Sequence, residues 1–142
     1  MHARVEGVLR MLAAPDEELA HPNLFAGDPP AEFVPLLEEM AADVRRESLR
    51  TEVLVMAEAD QRDLLPRIAV PTLLIWGEQD VRSPLSVARQ FEQAIPDTKL
   101  VVIRGCGHVS NLQRPEEFND AVRAFCRIHS SPEMQVRRPD SC

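Results

Sequence analysis

Two apolar runs separated by a stretch of helical period constrain this chain more than any other feature of it. The first, Val70-Pro71-Thr72-Leu73-Leu74-Ile75-Trp76, stops at Gly77, and the second, Thr98-Lys99-Leu100-Val101-Val102-Ile103, stops at Gly105. Runs of this length that close on glycine read as buried strands. Between them Leu85, Val87, Ala88, Phe91 and Ala94 form one helical stripe beginning near Pro84, and Pro96-Asp97 turns the chain into the second run. Strand, helix, strand is a βαβ unit, which joins parallel strands by a crossover, and apolar strands of this kind belong to a parallel sheet covered by helices. Phe118, Ala121, Val122 and Phe125 supply one covering helix.

The amino-terminal half has no strand pattern. Val5–Ala13 is a short amphipathic stretch, followed by punctuation at Pro15, Pro22 and Gly27-Asp28-Pro29-Pro30. From Ala31 the residues Phe33, Leu36, Leu37, Met40, Ala41 and Val44 recur at three and four positions, the period of an amphipathic helix. A second helix is expected over roughly Glu47 to Leu65, with Leu49, Val53, Met56 and Ala57 on one face and Asp60, Arg62 and Asp63 at its exit toward Pro66. The expected organisation is a helical segment over 1–67, an α/β portion over 68–129 and a polar tail over 130–142.

Composition closes off several functions. A net charge of -7, with basic residues scattered among acidic ones, argues against a nucleic-acid partner. No apolar run approaches the roughly 20 residues that span a bilayer, and the amino terminus shows no signal-peptide core, so the expectation is a cytoplasmic protein with no membrane partner. Three cysteines, Cys106, Cys126 and Cys142, lack C-x-x-C spacing and read as reduced thiols. The acidic groups Asp16-Glu17-Glu18 and Glu38-Glu39 have no histidine at ligand spacing and read as solvated helix faces. No metal and no cofactor is implied.

In open parallel sheets reactive groups gather beyond the carboxyl ends of the strands, which here are Gly77-Glu78-Gln79-Asp80 and Gly105-Cys106-Gly107-His108. A carboxylate on one such loop and an imidazole on the other can hydrogen-bond, fixing the tautomer of the ring. Each has a plainer reading: Asp80 as a turn or cap residue, His108 as a loop histidine satisfied by backbone. Cys106, two residues from His108, suggests a Cys-His pair, but neighbours in one loop rarely face each other correctly. Cys126 reads as helix core, Trp76 and Met56 as core before pocket lining, and His2, His21 and His129 as surface residues.

Taken together, Pro71 to Asp80, then Ser83-Pro84, then Gly105-Cys106-Gly107-His108 and Asn111-Leu112-Gln113-Arg114-Pro115-Glu116-Glu117-Phe118 resemble the closing part of α/β-hydrolases. The resemblance covers about Asp63 to Ile128; Phe33 to Arg62 is more loosely similar to the helical cap of that family, and the first thirty residues add little. It implies that Asp80 is the acid and His108 the base of a Ser-His-Asp site acting on ester-like or related small molecules. It departs from the family pattern at Arg104 and Cys106, where neutral and small residues are usual.

The family order, nucleophile then acid then histidine, places the nucleophile upstream. None of Ser48, Ser83, Ser86, Ser110, Ser130, Ser131 or Ser141 lies in G-x-S-x-G. The expectation is therefore a chain inactive alone, completed by a partner chain or self-associating through an exposed sheet edge. The alternative is a non-catalytic remnant or a binding module that needs a partner. A flavodoxin-like or Rossmann domain is disfavoured because no G-x-G-x-x-G opens a helix after a strand.

Overall fold

The computed structural model describes residues 23–43, 45, 47–48, 51, 54–55 and 59–130. The stretch expected as a helix over Val5–Ala13, the side chain of Met56 and the tail from residue 131 lie outside these.

The βαβ unit forms as the sequence pattern requires. Strand β1 (Thr72–Gly77) pairs in parallel with β2 (Thr98–Ile103), joined by helix α2 (Leu85–Ala94). The register runs from Thr72 opposite Thr98 to Gly77 opposite Ile103, so both strands end at the same level and their exit loops leave side by side. Helix α1 (Val34–Asp43) precedes the sheet, a single 3-10 turn spans Leu65–Arg67, and a four-residue helix α3 (Ser110–Gln113) leads into α4 (Pro115–His129). Pro115 opens α4, where a missing N–H costs nothing; Glu116 and Glu117 in its first turn and Arg127 and His129 in its last complement the helix dipole.

Several expectations need correction. The second helix does not continue to Leu65: positions 47, 48, 51, 54 and 55 are helical, while 59–61 are irregular. Asp60 ends it by accepting a hydrogen bond from the backbone N–H of Arg62 at 3.2 Å and pairing with its guanidinium, an aspartate turn that competes with helical geometry. The strands are not fully buried: Thr72 to Trp76 are all half-buried, and β2 buries only Ile103. The reason is that the sheet has two strands, each with an unpaired edge among the described residues. The stripe of α1 is covered at Leu37, whereas Leu36 and Met40 remain about half exposed. Cys126 is exposed, since it lies about a quarter turn round α4 from the stripe of Phe118, Ala121, Val122 and Phe125. His129 is half-buried, its ring 4.4 Å from that of Phe125.

The small core draws on the segment before α1, α1 itself, the crossover helix α2 and its end, and the end of β2 with its exit loop. Its buried apolar members are Phe25, Leu37, Ala88, Ile95, Ile103 and Cys106.

Candidate functional site

Because β1 and β2 end in register, hydrogen bonds from backbone N–H groups lace their exit loops together. Glu78 N–H donates to Ile103 O at 2.9 Å, Gln79 N–H to Cys106 O at 2.9 Å, and Gly105 N–H to the Glu78 carboxylate at 3.1 Å. Gly77 is required at this junction: a Cβ there would stand 2.0 Å from Gly107 O and 2.4 Å from Cys106 O. Gly105 takes φ +58°, a left-handed conformation that glycine adopts without strain.

This lacing brings Asp80 and His108 together. Asp80 Oδ2 lies 2.8 Å from His108 Nδ1, and Asp80 Oδ1 accepts the backbone N–H groups of Arg82 and Ser83, each at 2.9 Å. The turn reading and the pairing reading of Asp80 thus hold at once, one on each oxygen. The carboxylate is 4% exposed and the imidazole 39%, so the acid is sheltered while the ring reaches toward solvent. Trp76 supports the turn from beneath, its indole N–H donating to Ser83 O at 2.6 Å and its ring packing against Phe91. Trp76 is therefore a brace for the acid loop.

A carboxylate oxygen accepts hydrogen bonds, so it suits an Nδ1 that donates, and in the neutral ring that tautomer leaves Nε2 its lone pair. No hydrogen bond among the described residues engages Nε2.

Cys106 does not join this pair. It is fully buried, and burial pushes its thiol above the ordinary range, with the Asp80 and Glu117 carboxylates adding to the shift and Arg114 opposing it. A thiol held protonated is a poor nucleophile; Cys106 is a packing residue. Among the described residues no group of three or more His, Cys, Asp or Glu could hold a metal ion, and no helix is long and apolar enough to cross a membrane.

Sequence reasoning missed the contribution of residues 23–27. Leu24 O accepts the N–H of Val109 at 3.0 Å. Gln113 Oε1 accepts the N–H of Gly107 at 2.7 Å and that of Ala26 at 3.0 Å, and its Nε2 faces Ala26 O at 3.4 Å. The contact is close enough that a Cβ on Gly107 would stand 2.6 Å from Ala26 N and from the Phe25 carbonyl carbon. The same segment lines an open cavity of about 400 Å³ with Leu24, Phe25, Pro29, Val34 and Leu37, and Asn23 and Asp28 as its polar members. Asp80 and His108 are not part of that lining. The one sequence signal for this contact was Gln113 itself, a polar residue within the matched segment.

Comparison with known proteins decides the family. The family model described as alpha/beta hydrolase fold matches residues 32–115, more than half of the chain. The chain belongs to the α/β-hydrolase fold family. Curated relatives include a 2-hydroxy-6-oxononadienedioate/2-hydroxy-6-oxononatrienedioate hydrolase of a Pseudomonas species, 34% identical over 67 residues, covering 47% of this chain and 24% of that protein. A pimeloyl-(acyl-carrier protein) methyl ester esterase of Nitrosomonas europaea is 34% identical over 71 residues, 50% of this chain and 28% of the relative. Among solved structures, a bromoperoxidase from Bacillus anthracis superimposes with TM-score 0.74 at 23% identity, covering 87% of this chain and 48% of that one, a likeness of fold. A hydrolase from Pseudomonas aeruginosa gives TM-score 0.71 at 28% identity, covering 88% and 51%. This α/β-hydrolase chain spans a quarter to a third of the length of its curated relatives and about half of these structures. Its two-stranded parallel sheet with helices is part of the α/β-hydrolase fold.

Proposed function

We propose that this α/β-hydrolase chain supplies the acid and the base of a Ser-His-Asp hydrolytic site, Asp80 and His108, and that the nucleophile comes from a segment outside these 142 residues. The observation that carries the reading is the 2.8 Å contact between Asp80 Oδ2 and His108 Nδ1, with Asp80 Oδ1 held by two backbone N–H groups. Geometry of this kind presents Nε2 to take a proton from an attacking hydroxyl and return it to the leaving group, while the carboxylate stabilises the imidazolium formed in between.

The substrate class is an ester-like small molecule with an attackable carbonyl. Support comes from the relatives, whose names are those of a methyl ester esterase, a carbamate hydrolase and an oxo-dienedioate hydrolase. The half-buried faces of Thr72 to Trp76 support completion of the sheet by further strands, from a partner chain or a longer polypeptide. A cytoplasmic location belongs to the same proposal, and cell fractionation tests it.

The experiment joins the chain to the strands and G-x-S-x-G turn of a relative and follows turnover of a short-chain nitrophenyl ester, beside His108→Ala and Asp80→Ala. Loss of several orders of magnitude in both variants is expected. Equal turnover in all three proteins overturns the assignment. The absence of G-x-S-x-G from these residues favours a second reading, a non-catalytic binding module; a joined protein that folds and has no turnover selects it.

A further inference from the structure

The imidazole of His108 is fixed at its ring by Asp80, but the backbone that carries it is fixed from elsewhere. The residue before it, Gly107, gives its N–H to Gln113 Oε1 at 2.7 Å, and the residue after it, Val109, gives its N–H to Leu24 O at 3.0 Å. Gln113 Oε1 also accepts Ala26 N–H at 3.0 Å, so a single side-chain oxygen bridges the histidine loop to a residue 87 positions before Gln113 in sequence. Two N–H donors converging on one atom require it to be oxygen, and the carbonyl of Ala26 facing the other end requires nitrogen there. The orientation of the amide is thus dictated by its partners.

Gln113 is itself held firmly. It ends α3, its N–H bonds to Val109 O at 3.1 Å, and the following residue, Arg114, bonds to Ser110 O at 2.9 Å. The amide is therefore a strut between two backbone segments, one of which carries the proposed base. Gly107 allows segment 24–26 to approach closely, which leaves the loop little freedom to drift without breaking the bridge.

We infer that Gln113 is a positioning residue for His108, with its Oε1 atom holding Gly107 so that the ring stays in register with Asp80 Oδ2. The consequence for catalysis rests on the reading of His108 as base; the geometric claim does not. Loss of the bridge lets the loop move, lengthens the contact between Nδ1 and Asp80, and releases the ring to exchange between its two tautomers. Substitution with leucine removes the acceptor at similar volume, and substitution with glutamate keeps it for both N–H groups while setting a second oxygen, in place of the amide donor, against Ala26 O at the longer distance.

The test is the nitrogen-15 NMR spectrum of the imidazoles in the full 142-residue chain, with His108 assigned by its disappearance in His108→Ala. In the unsubstituted chain with the ring neutral, the two nitrogens of His108 should give well-separated signals, one protonated and one bare. Gln113→Leu should collapse that separation toward a common average, and Gln113→Glu should retain it. An unchanged His108 spectrum in a folded Gln113→Leu variant overturns the inference, as does an equal collapse in both variants. If Gln113→Leu does not fold, Gln113→Met, which also lacks the acceptor, takes its place: averaged signals support the inference and an unchanged spectrum overturns it. Because no turnover is measured, failure here is distinct from failure of the hydrolase reading, which the joined protein tests.

Discussion

Asp80 serves two partners at once: Oδ2 meets His108 Nδ1 at 2.8 Å while Oδ1 closes its own turn through the N–H groups of Arg82 and Ser83. Asparagine at this position separates the two roles. Asp80→Asn can keep Oδ1 as an acceptor for the turn, but an amide nitrogen facing the ring donates, so Nδ1 must accept and the proton moves to Nε2. The fold is expected to persist, while turnover in the joined enzyme falls by about four orders of magnitude, as when the wrong tautomer is imposed on such a site. Unfolding curves alongside kinetics check this; retained turnover would refute the role given to Asp80.

Asp80→Ala loses the turn as well. Two backbone N–H groups lose their acceptor, and a cost of about 1–3 kcal/mol is expected, toward the lower end because Arg82 is exposed. Urea denaturation measures it, and the alanine variant should be clearly less stable than the asparagine one.

Cys106 and Cys126 should differ sharply toward alkylating reagents. A raised thiol pKa means less thiolate at any given pH, and full burial blocks approach, so Cys106 stays unmodified near neutral pH while exposed Cys126 reacts. Peptide mapping after iodoacetamide treatment of the native chain reads this out. Rapid modification of Cys106 would reopen it as a nucleophile.

Gly107→Ala should loosen the attachment of residues 24–26. The added Cβ would meet backbone at 2.6 Å, and backbone cannot swing aside as the end of a side chain can. A destabilisation of about 1–3 kcal/mol is expected from overpacking of this kind, with hydrogen exchange of the Val109 amide, bonded to Leu24 O, accelerated more than that of the β1 and β2 amides. Uniform acceleration would argue against a local effect.

The half-buried apolar strand β1 leads to an expectation about association. By size exclusion the chain alone should form concentration-dependent oligomers, and adding the complementary strands should suppress them. A compact monomer with a sharp thermal transition would count against the proposed completion of the sheet.

Much of the fold was legible because its signals are local. Apolar runs closing at Gly77 and near Gly105, a helical stripe between them and the stripe of Phe118, Ala121, Val122 and Phe125 each speak for a single element, and each element formed. Burial was less legible: Leu36, Met40 and Cys126 have apolar side chains, but whether a face is covered depends on what packs against it, which periodicity does not encode. The second helix stops short of Leu65, with irregular backbone over 59–61, and Asp60, one of the residues expected at its exit, takes the backbone N–H of Arg62 there.

The sequence by itself determined that two strand-end loops would carry Asp80 and His108, since chain order and glycine placement are properties of the chain. Only the tertiary structure decided that they meet, because the parallel register brings both strands to the same level and the laced loops then leave one distance between carboxylate and ring. It alone decided that residues 24–26 hold the histidine loop through Gln113. A hydrogen bond across 87 residues leaves no periodic trace in sequence: its donor is a backbone N–H that every residue type but proline carries, and its acceptor is one glutamine side chain.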